Sequence, residues 1–194
     1  MLEVRRQAIH LISFSLCAFM VFYLPLPLVI FAVSFCLACA IIGGFAVKSG
    51  LEERIFPKGF RPISSIYYRS DKGRTSAKKF PFYGGIIGLT GILASLLIVG
   101  SRAYIPILIL AWGDSASTLV GIYFGRTKLI AGRSLEGAIG FFLVALIPLF
   151  IATPLSEGKI IFLALAATLT EIFSPIDDNL TIPIVSSVLM RLLA

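Results

Sequence analysis

The residue whose type and position most directly indicate chemistry is Asp114, an acid inside a long apolar run. A charged side chain near the middle of a bilayer costs at least ~2.5–3.5 kcal/mol, so this carboxylate must face protein, water or a metal. The four-residue spacing of Gly113, Ser117, Gly121 and Gly125 predicts a ridge of small residues on the same helix. Close helix packing is the alternative explanation for the glycines. Packing does not explain the carboxylate, for which we expect a functional role.

A second group of polar residues follows directly, in the stretch 125–137. Arginine side chains bind phosphate oxygens through paired hydrogen bonds. Backbone N–H groups at a helix start, here near Ser134, also favour an anion. The alternative is an ordinary loop in which Arg126 and Arg133 contact lipid headgroups and Ser134 caps the next helix. The residues of this stretch leave both interpretations open.

A third group combines three acids and an amide within nine residues: Glu171, Asp177, Asp178 and Asn179. Hard cations such as Mg²⁺ prefer oxygen ligands, usually one or two carboxylates together with substrate phosphates. The alternative is that Asp177 or Asp178 caps the last helix. A cap accounts for one acid and leaves the other two to be explained.

The N-terminal residues Glu3, Arg6 and His10 are spaced so that they share one face of a helix. His10 is the only histidine in the chain. A single histidine at a membrane interface is more often a packed, hydrogen-bonded residue than a catalyst. Beside Glu3 and Arg6, on the same side of the membrane as the other groups, it is a candidate member of one shared site.

The elements that must position these groups follow from the composition. Of 194 residues, 58% are hydrophobic and 14% charged, against about 45–50% and 25% in soluble domains. The apolar residues form blocks close to the ~20 residues that a helix needs to cross a bilayer. A soluble enzyme, a disordered tail and a secreted disulfide scaffold are therefore excluded.

We predict an all-α, polytopic integral membrane protein, with residues 1–194 forming a single membrane-embedded domain. About seven transmembrane helices are expected, at roughly 8–24, 27–47, 80–99, 103–125, 137–153, 159–174 and 179–193. The last of these is short, so a tilted or partial crossing is an alternative to a full one. Pro25 and Pro27 separate the first two, because proline interrupts a helix.

The net charge of +7 is concentrated in the stretch 48–79, which holds nine Lys or Arg against three acids. The positive-inside rule predicts that this stretch is a basic cytoplasmic loop on anionic headgroups, and attraction of a nucleotide is a compatible alternative. Alternating spans then put the N-terminus, the 125–136 loop and the 171–179 turn on the cytoplasmic face. We expect a multi-pass protein of the cell membrane or an endomembrane, and no nucleic-acid partner, since no binding motif is present.

Taken in order, these motifs resemble those of the CTP-dependent lipid-alcohol kinases. That family includes dolichol, phytol and farnesol kinases and the CTP-dependent diacylglycerol kinase of yeast. The resemblance covers nearly the whole chain, with four motifs in the right order. The motifs are Glu3-Val-Arg-Arg6-Gln7-Ala-Ile-His10, Gly113-Asp114-Ser-Ala-Ser117 with Gly121 and Gly125-Arg126, Arg133-Ser-Leu-Glu-Gly137, and Glu171 with Asp178-Asn179-Leu-Thr-Ile-Pro183.

The resemblance implies transfer of the γ-phosphate of CTP, with Mg²⁺ as cofactor, to the hydroxyl of a membrane-dissolved alcohol. That alcohol is an isoprenoid of the dolichol, phytol or geranylgeraniol type, or diacylglycerol. The family's essential positions correspond to Arg6, Asp114 and Gly121. Two positions depart from the family pattern: Gln7 replaces a lysine and removes a charge, and Arg133 replaces a lysine and keeps it.

The predicted site is assigned from the motifs and the resemblance together. The predicted catalytic residues are Asp114, Arg6, Glu136, Glu171 and Asp178. The predicted nucleotide-binding residues are Arg126, Lys128, Arg133, Ser134, Gly121, Gly125, Asn179 and His10. The predicted metal ligands are Asp114, Asp177 and Asp178. Besides CTP, the expected partners are membrane lipids and the alcohol, which enters laterally from the bilayer.

Two other functions fit parts of the same pattern. A cytidylyltransferase that makes a CDP-lipid also uses CTP, Mg²⁺ and an intramembrane aspartate motif. An ion-coupled transporter would use Asp114 near the membrane midplane, but transporters usually carry paired repeats, and none is visible in this sequence. Label from γ-labelled CTP distinguishes the two enzymes, because it reaches the lipid in a kinase and pyrophosphate in a cytidylyltransferase.

Overall fold

The computed structural model describes residues 2–49, 80–174 and 176–194, and the regular elements of that part of the chain are helices joined by short loops. The α-helices of these residues are α1 (Leu2–Tyr23), α2 (Leu26–Lys48), α3 (Tyr83–Val99), α4 (Tyr104–Phe124), α5 (Leu135–Ala152), α6 (Glu157–Phe173) and α7 (Asp178–Leu193). The prediction of an all-α fold is confirmed. The basic loop predicted at 48–79 lies outside the described residues, apart from its first two.

Local sequence explains where these helices begin and end. Pro25 precedes α2, whose first turn accommodates Pro27 because early N–H groups need no partner within the helix. Gly100, with φ of 62°, ends α3 before a short 3₁₀ turn that leads into α4. Glycine adopts this left-handed backbone without the steric cost that a side chain would add. The side chains of Ser134 and Asp177 cap α5 and α7.

The helices pack so that one end of the bundle collects all the polar motifs. α1 and α4 are antiparallel, since contacting residue numbers rise on α1 as they fall on α4. The contacting pairs are Gln7–Thr118, Ser15–Trp112 and Phe22–Tyr104. α3 and α7 are parallel, because Gly91 lies against Asn179 and Ser95 Oγ donates to the carbonyl of Pro183.

Two apolar clusters hold the bundle together. One joins α4 to α5, α6 and α7 around Phe141 and Leu163. The other joins α1, α2 and α3 to the first turns of α4 around Val29 and Leu96. Large apolar side chains also cover the outer surface, among them Phe31, Leu97 and Ile151. Such an outer surface is compatible with a protein that faces lipid.

Four stretches of the described residues are long and apolar enough to cross a membrane, by length and composition alone. They are Val4–Tyr23, Leu26–Lys48, Tyr83–Phe124 and Leu135–Ala152. The expected number was about seven. The difference arises because α3 and α4 form one continuous stretch of 42 residues, and because α6 and α7 have only 17 and 16 residues. The predicted boundaries of these helices nevertheless lie close to the observed ones.

Candidate active site in a recess of the bundle

Asp114 lies at the middle of α4 and is 7% exposed. Its Oδ2 is 3.9 Å from Nδ1 of His10 on α1. The other ring nitrogen of His10, Nε2, is hydrogen-bonded to Oδ1 of Asn179 at 2.8 Å, and the ring stacks on Phe14. We call Asp114, His10 and Asn179 the aspartate cluster. It joins three helices that are far apart in sequence.

Arg133 organises a second set of acids. Its Nη1 donates to Oε1 of Glu171, and its Nη2 donates to Oδ2 of Asp178 at 2.7 Å. The two acids are 1% and 4% exposed, whereas Arg133 keeps a quarter of its side chain accessible. We call Arg133, Glu171 and Asp178 the ion-pair cluster. The cluster thus pairs one guanidinium group with two buried carboxyl groups.

The two clusters are neighbours. Ser117, about one turn beyond Asp114 on α4, donates a hydrogen bond of 2.8 Å to Oε1 of Glu171. Asn179 of the aspartate cluster directly follows Asp178 of the ion-pair cluster. The structure therefore brings together acids of α4, α6 and α7 with Arg133 and His10.

The helices around the two clusters differ in how far they extend. The end of α6 and the start of α7 reach only the level of Asp114 and Ser117, whereas α4 continues to Phe124, about 10 Å further. The loop 125–134 returns over these helix ends and places Arg133 on them. We call this region the recess: its floor is the two clusters, and around it lie the first turns of α1, the last turns of α4 and the loop.

The loop 125–134 is held by its own hydrogen bonds. The N–H of Leu129 donates to the carbonyl of Arg133, and the N–H of Leu135 donates to that of Thr127. The carboxylate of Glu136 accepts from the N–H of Thr127 at 3.1 and 3.2 Å. Glu136 therefore fixes the loop that presents Arg133. Arg126 and Lys128, on the same loop, are exposed.

Several predicted binding residues have a packing or capping role. Ser134 Oγ accepts from the N–H of Gly137 at 3.1 Å, which is the capping role considered above. A Cβ at Gly121 or Gly125 would lie 3.2 or 2.9 Å from that hydroxyl. A Cβ at Gly113 would lie 2.7 Å from the Phe141 ring. Close packing of α4 on α5 thus accounts for these glycines.

Among the predicted metal ligands, Asp177 has a capping role. Asp177 Oδ1 accepts from the N–H of Asn179 at 3.1 Å and from its side-chain amide at 2.8 Å, so Asp177 caps α7. No group of three or more His, Cys, Asp or Glu side chains that could hold a metal exists within residues 2–49, 80–174 and 176–194. A Mg²⁺ ion here needs substrate oxygens as further ligands, which is its usual arrangement. Glu171 Oε2, buried without a hydrogen-bond partner in the described residues, fits such a cation in chemistry.

On α1, Gln7 makes a contact with α4 that the sequence did not predict. Gln7 is 2% exposed and donates to Oγ1 of Thr118 at 2.8 Å. Its neighbour Arg6 is half-buried at the same end of the bundle, and the side chain of Glu3 lies outside the described part. Sequence reasoning missed Thr118 and the bond from Ser117 to Glu171. Their spacing from Asp114, one helical turn, was the available signal.

Comparison with known proteins identifies a similar protein but no function. No family model matches the chain, and no solved structure matches it. The chain is similar to MJ1137, an uncharacterized protein of Methanocaldococcus jannaschii, with 29% identity over 191 residues. The match covers 95% of this chain and 91% of that protein. The similarity therefore extends from α1 to α7.

Proposed function

We propose that this protein is a membrane lipid kinase that transfers the γ-phosphate of CTP to the hydroxyl of a lipid alcohol. The observation that carries the proposal is the recess, where buried Asp114 lies beside a second set of acids that a single arginine bridges. Phosphoryl transfer depends on positioning and charge neutralisation more than on covalent participation by the protein. A polar recess within an apolar bundle supports a reaction between a soluble nucleotide and a lipid.

The residues of the recess have distinct proposed roles. Arg133, with Arg6, Arg126 and Lys128, binds the triphosphate, since guanidinium groups suit phosphate oxygens. Asp114 and Asp178 would hold Mg²⁺, which supplies neutralisation of phosphate charge. Glu136 keeps the loop in the conformation that presents Arg133.

The proposed reaction is a direct transfer of the γ-phosphoryl group from CTP to the alcohol. The alcohol oxygen forms a bond to the γ-phosphorus as the bond to the leaving CDP oxygen breaks, and the hydroxyl proton passes to a carboxylate of the recess. His10 holds α1 against Asn179 while this occurs. The products are a lipid monophosphate and CDP.

The proposed topology has seven helices in the membrane and the recess at the cytoplasmic face. α3 is parallel to α7, so the stretch that precedes α3 enters the bundle at the recess end. That stretch is the basic segment 48–79, which the positive-inside rule assigns to the cytoplasm. α6 and α7, with 17 and 16 residues, are at or just below the shortest length that spans the hydrocarbon core, which supports a junction that lies below the membrane surface.

The test is a transfer assay with purified full-length protein, γ-labelled CTP, Mg²⁺ and a panel of lipid alcohols. We expect label on the lipid, and none with Asp114→Asn. Glu157→Gln, which removes an acid at the opposite end of α6, is the matched control and should retain activity. Label in pyrophosphate would instead identify a cytidylyltransferase. Full activity of Asp114→Asn would refute the proposed site.

A further inference from the structure

A shallow, open apolar groove lies on the outside of the bundle, mainly along α1 and bordered by Trp112 of α4. It has a volume of about 580 Å³ and is lined by Leu11, Ile12, Ser15, Leu16, Phe19 and Trp112. Its polar side chains, Ser15 and Trp112, are hydrogen-bonded to each other at 3.0 Å. No charged side chain lines it. A groove of this composition fits an aliphatic chain and offers no counter-ion for an anionic headgroup.

Two buried polar atoms lie in the contact between the same two helices. On α4, Ser115 lies midway between Trp112 and Thr118, both of which donate to or accept from α1. Its Oγ is buried and has no hydrogen-bond partner among the described residues. On α1, Gln7 precedes Leu11 by one turn, and its Oε1 is equally buried and unpartnered. Ser115 and Gln7 are only 3% and 2% exposed.

Buried polar atoms nearly always have a partner, so two such atoms in one helix contact point to a missing polar group. Ser115 Oγ can donate or accept, whereas Gln7 Oε1 only accepts. A hydroxyl satisfies both, because it donates one hydrogen bond and accepts others. The adjoining groove extends from Leu11 to Phe19, about 12 Å along α1.

From these two observations together we infer that the α1–α4 contact binds the acceptor lipid itself, as an uncharged alcohol. Its hydroxyl lies between Gln7 and Ser115, and its chain lies in the groove against Trp112. This inference rests on the proposed kinase function, which supplies the substrate class. It places the hydroxyl beside the residue that follows Asp114 on α4. Phospholipids are disfavoured because the groove has no cation.

Trp112 makes the inference directly measurable, because it is the only tryptophan in the chain. Full-length protein is reconstituted in vesicles of unlabelled phosphatidylcholine and titrated with a long-chain alcohol brominated along its chain. We expect saturable quenching of Trp112 fluorescence. The methyl ether of the same brominated alcohol, which cannot donate to Gln7, should bind about three- to tenfold more weakly, the effect of one neutral hydrogen bond. Absence of saturation, or equal binding of alcohol and ether, overturns the inference.

Matched serine variants test the assignment of the hydroxyl. Ser115→Ala should weaken quenching by the alcohol about three- to tenfold. Ser187→Ala removes an equally buried, unpartnered serine hydroxyl from α7 and should leave it unchanged. Equal weakening in both variants, or none in Ser115→Ala, contradicts the inference.

The outcome is separable from that of the proposed function. Saturable quenching without transfer of label to any lipid supports the lipid site and refutes the kinase. Transfer of label without saturable quenching supports the kinase and refutes this location for its acceptor.

Discussion

The two clusters on the recess floor hold buried acids in different ways. In the ion-pair cluster, Arg133 makes a hydrogen-bonded ion pair with each of its two acids. In the aspartate cluster, His10 is 3.9 Å from Asp114, beyond hydrogen-bonding distance, and its hydrogen bond goes to Asn179. The first arrangement joins the loop, α6 and α7 through strong directional contacts. The second brings a histidine near the acid without fixing the two together.

This difference suggests a division of work on the recess floor. A carboxylate that makes a hydrogen-bonded ion pair with an arginine contributes to the position of the segments it joins. The contact between Asp114 and His10 is longer than a hydrogen bond, so it constrains the acid less than the hydrogen-bonded ion pairs of Arg133 constrain Glu171 and Asp178. We therefore expect substitutions in the ion-pair cluster to change stability most, and substitution of Asp114 to change activity most.

The largest expected effect on stability follows from Arg133→Ala. Removing this arginine leaves two buried carboxylates without their counter-ion, which costs about 3–5 kcal/mol when one partner of a buried pair is lost. The measurement is the free energy of unfolding in mixed micelles.

A neutralised triple variant is the control for that result. Arg133→Met with Glu171→Gln and Asp178→Asn removes all three charges, and neutral replacement of a buried ion pair is often without penalty. We expect most of the lost stability to return. If Arg133→Ala alone is within about 0.5 kcal/mol of the parent protein, the ion-pair cluster does not hold the floor together.

Asp114→Asn should give the opposite profile. Phosphoryl transfer is expected to fall by roughly 10²–10³-fold, as when one preorganised electrostatic group is removed from an active site. The free energy of unfolding should change by less than about 1 kcal/mol, because asparagine keeps the shape and can still hydrogen-bond. Initial rates and unfolding are measured on the same preparation. A loss of stability as large as that of Arg133→Ala would erase the distinction between the clusters.

Ser117 lies between the clusters and should show an intermediate effect. Ser117→Ala removes the 2.8 Å hydrogen bond to Glu171 and should cost about 1.5 kcal/mol, the lower range for a bond to a charged group. A double-mutant cycle with Arg133→Lys measures whether serine and arginine act on Glu171 together. Ser187→Ala, whose hydroxyl has no partner in the described residues, is the matched control and should cost less. Additive effects would show that Ser117 is independent of the ion-pair cluster.

The gathering of polar groups at one end of the bundle could be predicted from sequence. Alternating apolar runs place the 125–136 loop and the 171–179 turn at the same end as Arg6, and the structure agrees. The helix ends were also predictable to within a few residues, except at α1, because Pro25, Gly100 and Ser134 are strong local signals. These sequence signals do not show how deep in the bundle a helix begins or ends. The recess exists because α6 and α7 end beside Ser117 and Asp114, which is a property of packing depth.

Side-chain partners were the least predictable part. Arg133 appeared as a phosphate ligand, and its pairing with Glu171 and Asp178 depends on a loop conformation set by Glu136 and Thr127. The glycine ridge could be read either as a binding feature or as packing, and contacts with Phe141 and Ser134 support packing. Both outcomes depend on contacts between residues nine or more positions apart, which no local pattern specifies.

Substitution of Asp177 has the smallest predicted effect, and it distinguishes a helix cap from a metal ligand. Because its Oδ1 caps α7, Asp177→Ala should lower the free energy of unfolding by about 1 kcal/mol. Asparagine caps as well as aspartate does, so Asp177→Asn should keep both stability and transfer activity. A metal ligand would behave differently, since the neutral amide binds Mg²⁺ more weakly than a carboxylate and activity would fall while stability held. Transfer rates measured over a range of Mg²⁺ concentrations decide between the two interpretations. A raised Mg²⁺ requirement in Asp177→Asn would show that Asp177 is a metal ligand as well as a helix cap.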